Sequence, residues 1–296
     1  MGKKVLITGC KGQLGCDLQE LAGNYANLQA LYTDIDTLDL TKNSDVQGYI
    51  NKYQPDFIVN CAAYTAVDKA EDEEVQAILL NATAVEHLVV AAQQINAAFI
   101  HISTDYVFDG KKDTPYLETD LVNPRSVYGH TKLMGEKAAL AYNRSMVIRT
   151  SWLYTAVGNN FVNTMLRLGA ERSELNVVND QRGAPTCAAD LAEAIWTIIS
   201  KINKGEKTFI PGIYHYSNEG ECSWFDFAQR IMALGQRPCL VHPINSSQYP
   251  TKATRPAYSV LSKEKIKTNY GLHIPAWDEA LVRCFQKINI EHKPKT

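Results

Sequence analysis

The chain has little that would mark a scaffold built on covalent or metal staples. Its seven cysteines, Cys10, Cys16, Cys61, Cys187, Cys222, Cys239 and Cys284, are odd in number and widely spaced, and no Cys-x-x-Cys occurs. That pattern argues against a disulfide framework and a zinc site, and fits a reducing compartment. The seven histidines, His87, His101, His130, His215, His242, His273 and His292, show no ligand spacing either, so no metal ligand is assigned. Charge of one sign is also missing. Thirty Lys and Arg against 32 Asp and Glu leave a net charge of -2, with no basic cluster interleaved with aromatics. Nucleic acid is therefore not an expected partner. No apolar run is read as long enough to cross a bilayer, and Met1-Gly2-Lys3-Lys4 runs directly into a short strand core, unlike a signal peptide. A cytoplasmic protein without a membrane partner is expected.

What is present is an alternation of β-type and helix-type patterns through the first half, as expected for an α/β doubly wound parallel sheet. Strands are expected at Val5–Thr8, Leu28–Thr33, Asp56–Asn60, Ala98–Ser103 and Ser145–Thr150. Between them, helices are expected from Gly12 to about Ala22, then at Ser44–Tyr53, Glu74–Gln94 and Arg125–Tyr142. The third of these carries Val75, Ile78, Leu79, Ala82, Val85, Leu88, Val89 and Ala92 at helical spacing. Beyond Trp152 the alternation loosens. Residues 1–151 are read as the dinucleotide-binding domain and residues 152–296 mainly as a smaller substrate lobe. The boundary is discontinuous, because the segment near 183–217, with a helix at Thr186–Lys201 and a strand at Ile213–Ser217, is expected to return to the sheet.

Two motifs carry chemistry. Gly9-Cys10-Lys11-Gly12-Gln13-Leu14-Gly15 lies between the first strand and the first helix. There, backbone N–H groups and the positive end of the helix dipole can face a pyrophosphate. Asp34 or Asp36, at and beyond the end of the second strand, would bond the adenosine ribose and favour NADH, whereas Lys11 argues for NADPH. The cofactor is thus NADPH or NADH. Asp39 and Leu40 are placed either against the adenine edge or in a helix N-cap region. The small residues Ala62 and Ala63, followed by Tyr64, close the third strand, where backbone can approach the nicotinamide ribose.

The second motif is Tyr128-Gly129-His130-Thr131-Lys132. Tyr128 and Lys132 share one helical face, so the ammonium can lower the phenol's pKa and help it pass a proton to a substrate oxygen. Thr104, in Ser103-Thr104-Asp105-Tyr106, ends a strand at the same sheet edge and can donate to a substrate carbonyl. Donor, acid and cation together point to hydride delivery to a ketone.

These motifs resemble those of the extended short-chain dehydrogenase/reductase family, and within it the dTDP-4-dehydrorhamnose reductases. The matching segments include Val59 to Glu71, Ser103 to Phe108, Val127 to Lys132 and Arg149-Thr150-Ser151-Trp152, and later Asn179 to Thr186 and Arg255 to Ser259. The resemblance implies NAD(P)H-dependent reduction of the 4-keto group of dTDP-4-dehydro-β-L-rhamnose. It implies Tyr128 as proton donor, Lys132 as its partner on the cofactor ribose and Thr104 beside the keto oxygen. Implied substrate contacts are Thr65, Val67, Thr104, Asp105, Tyr128, Trp152 and Arg255. Some members form a Mg2+-bridged dimer through glutamates. Here Cys16-Asp17 and Ala188-Ala189-Asp190 stand in those neighbourhoods, so Mg2+ has no identified ligands, and a monomer or homodimer is expected. The glutamate that dehydratases carry after the Thr-Asp pair is replaced by Tyr106, which disfavours dehydration. A reductase of another nucleotide-linked ketosugar and a non-catalytic cofactor-binding regulatory subunit are the competing readings.

Overall fold

The structure is a computed structural model and describes residues 2–291; Met1 and residues 292–296, His292 among them, lie outside the described residues. Six strands form one all-parallel sheet: β1 (Lys3–Thr8), β2 (Leu28–Thr33), β3 (Phe57–Asn60), β4 (Ala98–Thr104), β5 (Ser145–Thr150) and, much later in the chain, Gly212–His215. The first-half helices are α1 (Gln13–Leu21), α2 (Asn43–Tyr53), α3 (Val67–Ala70), α4 (Glu74–Ile78), α5 (Ala84–Gln94) and α6 (Val127–Leu140). The second half adds the short strand β6 (Leu153–Tyr154), helix α7 (Phe161–Glu171), strands β7 (Glu174–Val178), β8 (Arg182–Gly183) and β9 (Thr186–Cys187), and helix α8 (Ala188–Asn203). After β10, which is the sheet strand Gly212–His215, come β11 (Cys222–Ser223), α9 (Trp224–Leu234), β12 (Leu240–Ile244), α10 (Glu264–Tyr270) and α11 (Trp277–Glu291).

The sheet order is β10-β5-β4-β3-β1-β2. Strand order reverses at β1, between β2 on one side and β3 on the other, which opens a crevice above the carboxyl ends of β1 and β3. Both faces are covered, as buried parallel strands require. On one face Val5, Ile7, Val59, Ile100 and Ile148 pack against Leu14 and Leu18 of α1 and Leu191, Ile195, Trp196 and Ile199 of α8. On the other, Leu6, Ile58, Phe99 and Val147 meet Val46 and Ile50 of α2 and Val85, Leu88 and Val89 of α5. A second apolar cluster, built from Val162, Met165, Phe227, Ile231, Leu281 and Phe285, joins α7, α9 and α11.

The expected helix over Glu74–Gln94 is continuous but irregular. A π-helical turn at Leu79–Thr83 separates α4 from α5. Contrary to the sequence expectation, this 21-residue segment is long and apolar enough to cross a membrane by length and composition alone. Its apolar side chains Val85, Leu88 and Ala92 are spent instead on the sheet-facing core. The helix expected from Thr186 begins at Ala188, because Thr186 and Cys187 pair with Leu153 and Tyr154 as a two-residue ladder.

Candidate active site

The glycine-rich turn is shaped by close approach of backbone to backbone. Gly9 has φ +63°, and a Cβ there would stand 2.7 Å from the Ala62 backbone; a Cβ on Gly15 would stand 2.3 Å from the Gly9 carbonyl oxygen. Only glycine fits either position. Gly12 precedes α1 without a side-chain cap, leaving the first N–H groups of the helix free for an anion. Beside this turn lies a cavity of about 480 Å3, lined by Gly9, Lys11, Gly12, Asp34, Leu40 and Ala62 among others. The cradle, the exposed helix N-terminus and the elongated apolar wall together fit a dinucleotide.

Of the other expected cofactor contacts, Asp34, Leu40 and Ala63 line this cavity, whereas Asp39, Leu14 and Tyr64 are not among its lining residues. Asp34 accepts the backbone N–H of Lys11 at 2.9 Å, and the Lys11 ammonium is paired with Asp36 at 2.7 Å. The two opposing signals for cofactor choice are thus tied to each other. Asp39 turns to Thr41, accepting from its backbone N–H and hydroxyl, while Leu38 and Leu40 form the cavity wall. Leu14 is buried in the core beneath α1, and Ala63 lines the cavity. The Tyr64 hydroxyl is held by Glu73, on the exposed side of its loop. Ile35, Thr33, Cys61 and Leu80 also line the cavity and were not singled out in the sequence; an apolar residue directly after a strand-end aspartate was the available signal for Ile35.

The chemistry-bearing residues gather at the carboxyl edge of the sheet. Thr104, the last residue of β4, donates its hydroxyl to Asp105 and accepts the Tyr106 N–H. The Tyr128 phenol stands beside that hydroxyl, and the Tyr106 ring meets the Tyr128 ring edge-on at 5.5 Å. Ser126 caps α6 by accepting the Gly129 N–H, which sets the register that turns Tyr128 toward β4. Gly129 is required there, since a Cβ would stand 2.3 Å from the Tyr106 carbonyl oxygen. Lys132 is buried and donates from Nζ to the Ile102 carbonyl at 2.7 Å.

Burial, more than charge, sets the acidities here. Tyr128 is pushed above its ordinary value by burial, with the Thr104 hydroxyl pulling the other way. The Lys132 ammonium, one helical turn from Tyr128, donates to the Ile102 backbone carbonyl. The phenol is therefore held protonated, the state a proton donor needs. Burial also lowers Lys132 to about 8 and raises Asp105 to about 6. Asp105 Oδ2 is buried with no partner, and the Ser259 hydroxyl beside it is likewise unpaired.

Arg255 bridges the two halves of the chain, donating to Tyr106 Oη at 3.2 Å and to Asp68 Oδ2 at 2.7 Å. It also lines a second, larger cavity of about 680 Å3 between α7, β7 and the 248–255 loop. Thr65 and Val67 lie at the entry to α3, next to Asp68. Trp152 adopts a left-handed φ of +47° and stacks on Trp224 with ring centroids 3.5 Å apart, its indole packed over Gly183. Two supporting residues went unread in the sequence. Asn81, in the π-helical turn, binds both the N–H and the carbonyl of Tyr64 and the Thr131 hydroxyl, tying the loop after β3 to α6. An asparagine on the otherwise apolar face of a helix was the signal for it. Trp224 gave none, since only the fold places it beside Trp152. The carboxylates in the two neighbourhoods considered for Mg2+ are internally engaged: Asp17 with Thr155 and Lys287, Asp190 with Asn218 and Arg283.

Residues 3–290 match the model of the RmlD substrate binding domain family. The chain is 43% identical over 285 residues to the dTDP-4-dehydrorhamnose reductase of Aggregatibacter actinomycetemcomitans, covering 94% of this chain and 97% of that one. Among solved structures, the dTDP-4-dehydrorhamnose reductase of Clostridium acetobutylicum is similar at 40% identity and a TM-score of 0.91, over 97% of this chain and 99% of the other. The Bacillus anthracis enzyme of the same name, solved in complex with NADP, is similar at 40% identity and a TM-score of 0.91, over 97% of this chain and 100% of that one. The chain belongs to the RmlD substrate binding domain family, the family of the dTDP-4-dehydrorhamnose reductases.

Proposed function

We propose that this protein reduces the 4-keto group of dTDP-4-dehydro-β-L-rhamnose with NADPH or NADH, giving dTDP-β-L-rhamnose. The observation that carries the reading is the protonated Tyr128 phenol beside the Thr104 hydroxyl, at the same sheet edge as the dinucleotide cradle, in a member of this family. The bound nicotinamide supplies the hydride. The chain's residues do the rest. Gly9, Gly12 and Gly15 admit the pyrophosphate to the N-terminus of α1, and Lys11, Asp34 and Leu40 receive the adenosine half. Thr104 donates to the keto oxygen and Tyr128 gives it a proton as it gains charge. Lys132, one helical turn from Tyr128, would hold the cofactor ribose and, as an ammonium, steady the phenolate left behind. Asp105, Thr65 and Val67 border the sugar. Arg255 joins that space to the larger cavity, where we place the deoxythymidine diphosphate, and the Trp152–Trp224 stack forms a wall between the two halves of the molecule. A cytoplasmic location suits the dissolved nucleotide-sugar substrate.

The test is oxidation of NADPH and NADH, followed by nicotinamide absorbance, with the ketosugar generated in place from dTDP-glucose. Substrate-dependent oxidation with formation of dTDP-rhamnose is expected. Cofactor binding without turnover would overturn the reading in favour of another ketosugar or of a regulatory subunit.

A further inference from the structure

Behind Lys132, away from the substrate side, a line of buried polar groups runs inward across the sheet. Thr8 donates its hydroxyl to Asn60 Oδ1 at 2.7 Å, and the Ala62 N–H donates to the same oxygen at 3.2 Å. A backbone N–H can only donate, so the Asn60 amide has one allowed orientation, with Nδ2 facing His101 Nδ1 at 3.1 Å. Asn60 Nδ2 can only donate in turn, so Nδ1 of His101 accepts. A neutral imidazole with Nδ1 as acceptor carries its proton on Nε2. That Nε2 stands 3.5 Å from Lys132 Nζ. The ring is fully buried and stacked on Phe99, and burial together with the neighbouring lysine holds it neutral. The ring lies against α6 at Gly135, where a Cβ would stand 3.4 Å from Nε2 and 2.0 Å from the Asn81 carbonyl oxygen.

We propose that His101 is a positioning residue for Lys132: locked by Asn60 with its proton on Nε2, it turns a donor toward Nζ and favours the neutral amine there. An ammonium at Nζ faces N–H against N–H, whereas the amine offers a lone pair to the Nε2 proton. Against this stand the Ile102 carbonyl, which accepts from Nζ at 2.7 Å, and the Glu136 charge. Glu136, on the same helix, is committed to a bidentate pair with Arg149 and to the Ser103 hydroxyl. Cys61 is kept a neutral thiol by burial, at about 12, and Tyr128 keeps its proton. Burial already brings Lys132 down to about 8, and the His101 donor is inferred to add to that shift, so the rate is expected to have an alkaline limb governed by Lys132. The catalytic consequence rests on the reductase reading above; the tautomer and its contact with Lys132 do not.

Two experiments test it. In the first, kcat is followed against pH for wild type, His101→Asn and His101→Gln, with folding and NADPH affinity checked in each. Asparagine keeps an acceptor for Asn60 but has no group at the Nε2 position, and the alkaline limb is expected to move up by about one pH unit. Glutamine restores an N–H near Nε2, and its limb is expected to return toward that of wild type. A limb unmoved in His101→Asn, or moved equally in both variants, overturns the proposal. The second needs neither turnover nor a His101 variant: nitrogen NMR of 15N-histidine-labelled enzyme. A proton on Nε2 at neutral pH, with an Nε2 resonance that shifts in Lys132→Met, supports the proposal. A proton on Nδ1, an imidazolium, or an Nε2 resonance unchanged in Lys132→Met overturns it, whatever the ketosugar assay shows.

Discussion

At the scale of single residues, burial decides how firmly each group of the site holds its proton. Tyr128 and Asp105 are both buried, and burial disfavours the charged form of each. Removing the Tyr128 hydroxyl should therefore remove the proton source without disturbing the cradle. Tyr128→Phe is expected to lower kcat by at least about 100-fold, with NADPH affinity by fluorescence titration within about twofold of wild type; comparable turnover would take Tyr128 out of the mechanism. Asp105 makes a prediction about stability. Its folded-state value of about 6 lies above the ordinary 3.8, so the folded protein holds the proton more tightly than the unfolded chain. The resulting stabilisation is full below about pH 4 and is lost as pH rises through 6, leaving a buried, half-partnered carboxylate at neutral pH. Asp105→Asn keeps an acceptor for Thr104 and offers an N–H to Ser259. It is expected to be more stable than wild type by about 2 kcal/mol at pH 7.5, with the difference vanishing toward pH 4 in urea titrations.

At the scale of elements, function depends on backbones packed too closely for side chains. The three glycines of the first turn are not equivalent. A Cβ at Gly12 would meet only the Gly9 carbonyl oxygen, at 3.2 Å, while one at Gly15 would meet that oxygen at 2.3 Å and Cys10 Cα at 2.6 Å. Gly15→Ala should push α1 off β1, costing about 1–3 kcal/mol and most of the cofactor affinity. Gly12→Ala should retain the greater part of both. Calorimetric NADPH binding and thermal melts on the two variants would distinguish them, and equal effects would contradict this account of the turn. The strands and helices of the first half were largely legible, because a strand buried on both faces and an amphipathic helix have different apolar periods. The π-helical turn was not, since Leu79–Thr83 differs from its neighbours only in a hydrogen-bond register that Asn81 and α6 impose.

At the scale of the whole molecule, buried polar contacts bind distant segments into one active arrangement. Arg149 of β5 is almost wholly buried, pairs bidentately with Glu136 of α6 and lies 5.0 Å from the Phe108 ring centroid. The pair holds α6, which carries Tyr128 and Lys132, against the sheet, with Ser103 as third member. Either Glu136→Leu or Arg149→Met strands a buried charge, and each is expected to lose about 3–5 kcal/mol in chemical denaturation. The double variant Glu136→Leu/Arg149→Met should lose less than the sum of the single losses. Additive losses would show that the two side chains stabilise the fold independently.

What the amino-acid order determined by itself was the local chemistry: the glycine-rich turn between strand and helix, the Tyr128–Lys132 spacing that shares a helical face, and Thr104 at a strand end. These are short-range patterns, readable because φ/ψ limits and helical periodicity act within a few residues. Tertiary structure alone decided what each group meets across the fold. It set Lys11 against Asp36, Arg255 between Asp68 and Tyr106, Trp152 on Trp224, and Asn60 and His101 in line behind Lys132. It also buried the Tyr128 phenol, which raises its pKa. The reason is physical: desolvation and hydrogen-bond partners depend on which distant segments converge, and that convergence is a property of the packed sheet rather than of any local run of residues.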